Sequence, residues 1–399
     1  MPMAEHKIIP VGPFMPLLEE PEYFRLHVDG EKVVDVDLDI GYNHRGIEKL
    51  CEEKTYDQVG FVIERICGIC STSHPVAYVQ AVEDVSAIPV PPRALYIRTI
   101  IAELERLHSH LLWLGLAGHF IGYNTVFMWA WKYRESICDI LERVTGNRQS
   151  YAMMKVGGVR RDIKDEDRDS VYSEMDILKP KIDMFLGAVS DDPVLHARLK
   201  GVGILPKQAA IDYCALGPTA RGSGVPIDVR KDEPYAAYRE LDWDIIVVNE
   251  GDVFAKAAVR ILEMYESIKI IQQALRQLPD GEIDSNPTRV PPGEGIGRAE
   301  APRGEVFHYI RSDGTNRPAR HKARAPTFMN LPTFKVTMIG QHVADACIAS
   351  AAIDPCYCCT ERVSVVEHRS GRTSRLTHAD LVRLSQDRTA ELRRKLGVS

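Results

Sequence analysis

Several features that define other protein classes are missing from this chain of 399 residues. No apolar run approaches the roughly 20 residues that a membrane-spanning helix needs. The N-terminal segment shows no apolar signal region before its first prolines. There is no excess of basic charge either, since the formal net charge is −6, which argues against a nucleic-acid partner. We therefore expect a protein that is cytosolic or that joins a larger assembly through protein contacts.

The composition and the spacing of apolar residues describe an ordinary folded protein. Apolar residues make up 45% and charged residues 27%, which excludes wholesale disorder and collagen. Apolar residues recur at helical spacing over 95–114 and 252–278. Two β-branched runs, 23–28 and 33–38, flank an Asp-Gly pair and predict a hairpin. The Pro/Gly-rich stretch 279–303 is predicted to be an irregular connection, and the whole to be mainly α with a small N-terminal β unit (α+β).

Five of the nine cysteines fall in two tight clusters, Cys67-Gly68-Ile69-Cys70 and Cys356-Tyr357-Cys358-Cys359. Each cluster contains a C-x-x-C pair, and two such pairs supply four thiolates, enough for a tetrahedral site for a soft metal. Structural zinc is the usual interpretation of paired C-x-x-C motifs. However, zinc ribbons separate their pairs by roughly 15–20 residues, whereas these pairs lie near opposite ends of the chain. Metal or redox chemistry inside one large domain is the alternative.

The segments around both clusters resemble the large subunits of NiFe-hydrogenases. Residues 65–74 (RICGICSTSH) resemble the N-terminal nickel motif of that family, and residues 354–359 (DPCYCC) resemble its C-terminal motif. Residues 300–304 (EAPRG) and 41–46 (GYNHRG) resemble further signatures, the latter of the membrane-bound, energy-converting (group 4) branch, which is related to the 49 kDa subunit of complex I. The resemblance implies a helical bundle with the metal site at its centre.

In that family, nickel is held by four thiolates. The resemblance assigns this role to Cys67, Cys70, Cys356 and Cys359. It also implies that Cys70 and Cys359 bridge to an iron that carries cyanide and carbon monoxide. The implied reaction is the reversible heterolytic cleavage of H2, with a terminal thiolate such as Cys356 taking part as a catalytic group. Cys358 is additional to the motif and is interpreted as a spectator.

Two glutamates are candidates for the proton relay that such a reaction needs. Glu20 matches a proton-accepting glutamate of the energy-converting branch, and Glu48 is a second candidate. A lone glutamate is more often a solvated surface carboxylate. We weigh both glutamates against that alternative, and Glu20 is the stronger candidate of the two.

Four further residues are assigned supporting roles by the resemblance. Arg303 would hydrogen-bond a cyanide nitrogen and act in catalysis, and Thr327 would donate to the other cyanide. His74 would donate to a thiolate sulfur, with a satisfied core histidine as the equally weighted alternative. Glu64 matches a magnesium ligand of hydrogenases, which adds Mg²⁺ to the expected cofactors.

The resemblance also divides the chain and predicts its partners. We expect an N-terminal β hairpin region over 1–45, a helical catalytic domain over 46–362 and a basic extension over 363–399 that is removed after Arg362. The sequence contains no C-x-x-C-x-x-C iron–sulfur motif. Electrons are therefore expected to pass through a small subunit with a 4Fe–4S cluster. Membrane-arm subunits would attach the protein peripherally to the cytoplasmic side of the membrane.

Two other functions stay open at this point. The first is a complex I-like quinone-site subunit without nickel; the four intact motif cysteines argue against it, and so does Met15, which stands where the related loop has a histidine. The second is a non-catalytic scaffold subunit with structural zinc.

Overall fold

The computed structural model describes residues 7–15, 18, 20–287, 289–360, 365–366, 373–374, 376 and 378–397. The strands in chain order are β1 Lys7–Val11, β2 Tyr23–Asp29, β3 Lys32–Asp39, β4 Met154–Lys155, β5 Gly158–Val159, β6 Gly293–Ala301, β7 Gly304–Ser312, β8 Pro318–Arg324, β9 Val365–Val366 and β10 Thr373–Ser374. The helices are α1 Ile47–Glu52, α2 Tyr56–Ile63, α3 Ser73–Ser86, α4 Pro92–Phe120, α5 Asn124–Thr145, α6 Asp165–Asp191, α7 Pro193–Leu199, α8 Lys207–Asp212, α9 Gly217–Arg221, α10 Val229–Asp232, α11 Val253–Gln277, α12 Pro326–Asn330, α13 Thr333–Met338, α14 Val343–Ala351, α15 Tyr357–Thr360 and α16 His378–Leu396.

Helix α4 forms the axis of the main core. Its apolar residues recur every three or four positions, and it packs against both α5 and α11. The predicted helix over 252–278 is confirmed as α11, which begins after Asp252, whose side chain accepts the N–H of Ala255 at 2.8 Å as an N-cap. The mainly helical α+β prediction is thus confirmed.

The predicted N-terminal hairpin is confirmed as β2 and β3, with β1 added on the outer side in antiparallel order β1-β2-β3. One face of this sheet is apolar and packs on α13 and α14. The ring of Phe24 meets that of Phe334 edge-on with centroids 5.5 Å apart. This sheet thereby packs against the segment that bears the second cysteine cluster, since Tyr357 belongs to the same apolar cluster.

The prediction of an irregular connection over 279–303 is wrong for residues 293–301. These form β6, the first strand of an antiparallel sheet in the order β6-β7-β8. The glycines that suggested a loop instead allow close packing: a Cβ on Gly297 would lie 1.9 Å from the carbonyl oxygen of Ala77, and one on Gly295 would lie 2.1 Å from that of Ala81. The strand therefore lies directly on the backbone of α3, the helix that follows the first cysteine pair.

Arg362, the predicted cleavage position, lies outside the described residues. The division into regions 1–45, 46–362 and 363–399 stays a prediction. No helix within the described parts of the chain is both long enough and apolar enough to span a bilayer.

Candidate metal centre

The two cysteine clusters meet in the interior. The ligand atoms of Cys67, Cys356, Cys358 and Cys359 all lie within 4.8 Å of one another. Cys356 Sγ is 2.7 Å from Cys359 Sγ and 3.5 Å from Cys358 Sγ. Cys70 lies outside this group, but its sulfur contacts that of Cys67, so three of the four predicted ligands are grouped and the fourth adjoins them. Cys358, interpreted as a spectator, is a member of the same group of sulfurs.

The first pair lies in the turn between α2 and α3. The N–H of Ile69 donates to Cys67 Sγ at 3.4 Å, and the hydroxyl of Ser71 donates to the carbonyl of Gly68 at 3.2 Å. Glu105 of α4 then accepts the backbone N–H groups of Thr72 and Ser73. Because a carboxylate at a helix N-terminus satisfies otherwise unpaired N–H groups, Glu105 fixes the start of α3 and the turn before it.

The second pair is presented by the turn between α14 and α15. The Arg303 guanidinium donates through Nε to the Asp354 carbonyl at 2.8 Å and forms a 2.5 Å ion pair with the Asp354 carboxylate. A third guanidinium nitrogen of Arg303 lies 3.8 Å from Cys70 Sγ. The N–H of Cys356 donates to Thr327 Oγ1 at 3.0 Å, which leaves the hydroxyl proton of Thr327 free to donate. Arg303 therefore links the two cysteine segments.

The electrostatics favour a cation among the sulfurs. Hydrogen bonds from Cys356, Cys358 and Cys359 hold the pKa of Cys67 well below its ordinary value, whereas burial raises the pKa of Cys356 and of Cys359. Burial opposes the charge on Arg303, but Asp354 and the neighbouring cysteines outweigh burial and hold its pKa well above the usual range. Thiols this deeply buried are normally protonated, and a soft cation would replace those protons.

Glu20 lies beside the second pair. Its carboxylate accepts the backbone N–H of Cys358 at 2.8 Å and the Cys358 thiol at 2.9 Å, and it is 3.8 Å from Cys356 Sγ. Burial, together with the negative charge of Cys67, raises the pKa of Glu20. A carboxyl group with a raised pKa next to a thiol is suited to taking up and releasing a proton.

The other predicted residues are placed differently. His74 is fully buried and is bonded to another histidine, with its Nε2 unpartnered among the described residues. Glu64 pairs with Arg65 at 3.0 Å and has a pKa raised to about 7 by burial, but its carboxylate is not part of the sulfur group. Glu48 forms an ion pair with Lys322 at 2.7 Å, so it is a paired carboxylate rather than a freely solvated one.

Two positioning residues were missed by the sequence reasoning. Glu105 is a buried carboxyl group on α4, but other buried charged residues such as Glu103 and Arg106 lie beside it on the same helix, so no local signal in the sequence singles it out. Arg45 donates to the carbonyls of Arg65 and Ile66, each at 2.8 Å, and to the carbonyl of Cys358 at 3.3 Å. The three acceptors come from both cysteine segments, a relation that no local pattern predicts.

A surface cavity leads to the sulfurs. It has a volume of about 190 Å³, and its lining includes Asn43, His44, Arg45, Ile66, Cys358 and Cys359. A water or another small molecule has room to approach the second cysteine pair from this side.

The residues present fit a bound soft metal. Metal–thiolate bonds of about 2.3 Å allow sulfurs around one ion to be no more than about 4.6 Å apart, close to the spacing found here. His74 Nε2, a buried polar atom without a protein partner among the described residues, adds a group that can orient toward such a centre. The structure defines a class of protein with a mainly helical α+β fold, in which a buried guanidinium joins two distant cysteine pairs, and the sulfur group is a candidate metal site.

Comparisons with known proteins place the chain within this class. Residues 45–116 match the family model described as nickel-dependent hydrogenase, and residues 121–290 and 283–362 match the model of the 49 kDa subunit of respiratory-chain NADH dehydrogenase. The membrane-bound hydrogenase subunit alpha of Pyrococcus furiosus is 44% identical over 96% of this chain and 93% of its own length. The carbon monoxide-induced hydrogenase of Rhodospirillum rubrum is 42% identical over 89% of this chain and 99% of its own length.

A solved structure shares the fold. A chain of the membrane-bound sulfane sulfur reductase, an archaeal respiratory membrane complex, superposes with a TM-score of 0.85 at 32% identity, and the match covers 91% of this chain and 100% of that chain. The chain belongs to the family of NiFe-hydrogenase large subunits and complex I 49 kDa-type subunits, in its membrane-bound (group 4) branch.

Proposed function

We propose that the protein is the catalytic subunit of a membrane-associated, energy-converting NiFe-hydrogenase. The observation that carries the proposal is the meeting of Cys67 with Cys356 and Cys359 at one buried point, with Cys70 in contact with Cys67, although the two pairs are far apart in the sequence. A family member that had lost the nickel site would have no need of four thiols in this arrangement.

The ligand set is proposed residue by residue. Cys67, Cys70, Cys356 and Cys359 would hold nickel, and Cys70 and Cys359 would also hold an iron that carries cyanide and carbon monoxide. When bound, this group would supply the Lewis acidity and redox change that polarise H2. Arg303, buried and positively charged, would donate to one cyanide. Thr327 fits the second donor role because its hydroxyl proton is not used by Cys356.

Proton movement is proposed to run through the second cysteine pair. The Cys356 thiolate takes a proton, and Glu20 receives it either directly across 3.8 Å or through the Cys358 thiol, which lies 3.5 Å from Cys356 and 2.9 Å from Glu20. Cys358 thus becomes a relay candidate. The Glu64 carboxylate stays a candidate magnesium ligand, since its raised pKa of about 7 shows a poorly solvated group that a cation would stabilise.

Partners and placement follow from the family. We propose that a small subunit with a 4Fe–4S cluster receives the electrons, and that membrane-arm subunits hold the protein peripherally at the cytoplasmic face of the membrane. The relatives named above include membrane-bound complexes, which supports this assembly. Region 363–399 is proposed to be removed after Arg362, and an intact C-terminus at Ser399 in the active protein would contradict that.

A second function has some support. The match to the 49 kDa subunit model covers more of the chain than the hydrogenase model does, and the superposed relative is named as a sulfane sulfur reductase. A complex I-like quinone-site role without nickel is therefore the competing proposal, and a structural-zinc scaffold is the third.

Metal analysis combined with hydrogen–deuterium gas exchange separates these functions. We expect about one nickel and one iron per chain, with exchange activity, in the purified complex. No nickel and no exchange would favour the quinone-site role, and zinc in place of nickel would favour the scaffold.

Variants at two cysteines make the test specific. Cys67→Ser should abolish nickel retention and exchange, because it removes one of four thiolates. Cys214→Ser, at an exposed cysteine outside the sulfur group, is the matched control and should retain both.

A further inference from the structure

The sulfur group includes a cysteine that the predicted ligand set lacks and leaves out one that it contains. The Sγ atoms of Cys67, Cys356, Cys358 and Cys359 all lie within 4.8 Å of one another, whereas Cys70 lies outside this group and adjoins it through Cys67. Cys358 belongs to neither C-x-x-C pair, yet its Sγ is 3.5 Å from that of Cys356. The four grouped cysteines are called here the Cys358 set.

The spacing of the Cys358 set suits one soft metal ion. Metal–thiolate bonds of about 2.3 Å in a tetrahedral site put the four sulfurs about 3.8 Å apart. The 3.5 Å between Cys356 and Cys358 is close to that value, and the 2.7 Å between Cys356 and Cys359 would widen toward it. Cys70 exceeds the 4.8 Å limit with at least one sulfur of the set. Fewer shifts are therefore needed to bind an ion with Cys358 than with Cys70.

Charged side chains on the two sides of the sulfurs favour Cys358 over Cys70 as a ligand. On the Cys70 side, the buried guanidinium of Arg303 donates to Cys70 Sγ at 3.8 Å. On the other side, the carboxylate of Glu20 lies 2.9 Å from Cys358 Sγ and 3.8 Å from Cys356 Sγ. A fixed cation repels a metal ion and a carboxylate attracts one, most strongly where water is excluded. A metal ion is therefore drawn toward Cys358.

Three of the four sulfurs come from a single turn of the backbone. Cys356 directly precedes α15, and Cys358 and Cys359 lie within that helix. The N–H of Cys358 donates to the Glu20 carboxylate at 2.8 Å, and the N–H of Cys356 donates to Thr327 Oγ1 at 3.0 Å. The backbone that presents these thiols is thus fixed by hydrogen bonds in the metal-free chain.

We propose that Cys358 is a metal ligand, and that the metal-free chain binds one soft divalent cation through the Cys358 set. Binding forms four metal–sulfur bonds and releases the thiol protons. The set shares three cysteines with the proposed nickel set and has Cys358 in place of Cys70. When Cys70 is the ligand instead, the Cys358 thiol is available for the proton relay. Binding by the Cys358 set does not depend on the proposed function, because it needs neither nickel nor iron.

The first test is a titration of the reduced, metal-free full chain with Co²⁺. Cobalt accepts thiolate ligands in place of zinc and absorbs visible light, so binding is followed directly. We expect one Co²⁺ per chain, with about four sulfurs around it by cobalt K-edge X-ray absorption. A chain that binds no Co²⁺, or that holds it through nitrogen and oxygen, would overturn the proposal.

Two serine variants distinguish the two ligand sets. Serine keeps a hydroxyl that can donate to Glu20 but removes the sulfur. Cys358→Ser should lower the affinity for Co²⁺ by about tenfold or more, and Cys70→Ser by less than about threefold, since even an outer partner of a metal ligand contributes about tenfold. Cys347→Ser, at a cysteine that is half-buried like Cys358 but outside the group, is the control and should change nothing. An equal loss in the first two variants, or the opposite order, would overturn the proposal.

A second measurement needs no substituted protein. The thiol of Cys358 is half-buried and lines the surface cavity, so N-ethylmaleimide should modify it in the metal-free chain. Bound Co²⁺ should slow this modification by about tenfold or more, because the reactive thiolate is then held by the metal. Cys214, which is exposed and outside the group, should react at the same rate with and without Co²⁺. Peptide mass spectrometry measures both, and an unchanged rate at Cys358 would overturn the proposal.

Nickel analysis of the purified complex separates this proposal from the proposed function. Protection of Cys358 by Co²⁺, with no nickel in the complex, would contradict the proposed function and leave the Cys358 set standing. Nickel in the complex, with Cys358 unprotected by Co²⁺, would contradict only the Cys358 set.

Discussion

The two cysteine pairs are held in different ways. The first pair, Cys67 and Cys70, lies in a turn joined to α2 and α3, and the Glu105 carboxylate anchors that turn directly to the central helix α4. The second pair, Cys356 and Cys359, is held by single side chains that reach it from separate parts of the chain. These are Arg45, Trp113, Arg260, Arg303, Thr327 and Glu20.

This contrast bears on how a metal would enter. Both pairs lie in the main apolar core, but the first pair is followed directly by the 14-residue helix α3, whereas the second lies directly before and within the four-residue helix α15. The second segment is held through donors to the carbonyls of residues 351, 352, 354 and 358 and through acceptors for the N–H groups of Cys356 and Cys358. We infer that the segment of the second cysteine pair closes last, after a metal ion has bound to the first pair.

The largest expected effect is at the ion pair of Arg303 and Asp354. Arg303→Leu leaves a buried carboxylate without its closest partner, so we expect the free energy of unfolding to fall by about 3–5 kcal/mol. The double variant with Asp354→Asn should recover part of this loss, since the buried carboxylate charge is then removed as well; the recovery is incomplete because Arg260, 3.9 Å from Asp354, loses that ion pair. Urea unfolding measures both. A loss below about 1 kcal/mol for Arg303→Leu would show that this guanidinium does not fasten the second pair.

Substitution of Glu105 tests how the first cysteine pair is held, again through the free energy of unfolding. Glu105→Ala leaves the N–H groups of Thr72 and Ser73 buried without an acceptor, which should cost about 3 kcal/mol of unfolding free energy. Glu105→Gln, which keeps the shape and one acceptor oxygen, should lose less. If Glu105→Ala unfolds at the same urea concentration as the unsubstituted protein, the first pair is not anchored through α4.

Removal of the metal should change backbone hydrogen exchange differently in the segments of the two cysteine pairs. Hydrogen exchange of backbone amides in 352–360 should speed up by about tenfold on chelation, whereas amides in 73–86 should change less than about twofold, because the regular structure in 352–360 is the four-residue helix α15, while 73–86 is the 14-residue helix α3 with continuous backbone hydrogen bonds. An equal increase of the exchange rate in both segments would contradict this difference between the two cysteine pairs.

Arg45 is expected to have the smallest effect. Arg45→Lys keeps the charge but loses the planar fork that reaches carbonyls of both segments, and since the side chain is exposed we expect a loss of about 1 kcal/mol or less. Exchange of amides near Cys358 should increase more than that of amides near Cys67. Arg148→Lys, at an arginine that pairs with Asp139 on the surface of α5, is the control and should alter neither.

The sequence predicted the periodic elements well and the close-packed ones poorly. The hairpin of β2 and β3 follows from its Asp-Gly turn, and α11 follows from its apolar stripe. Strand β6 was missed because its glycines serve contact with the α3 backbone, which a single sequence does not reveal.

The residues of the site also differ in how far the sequence alone predicts their roles. The four cysteines stand out through their spacing, whereas the roles of Glu105, Arg45 and Cys358 depend on partners that are distant along the chain. The His308–His321 contact needs the β7–β8 pairing, which was itself not predicted.

Nickel K-edge X-ray absorption of the purified complex tests the central claim most directly. A nickel ion held by Cys67, Cys70, Cys356 and Cys359 should show a first shell of sulfur scatterers that numbers about four, together with a nearby iron, and Cys359→Ser, like Cys67→Ser, should lose the nickel signal. A first shell of nitrogen and oxygen, or a complex in which nickel is absent and zinc fills the sulfur site, would contradict it.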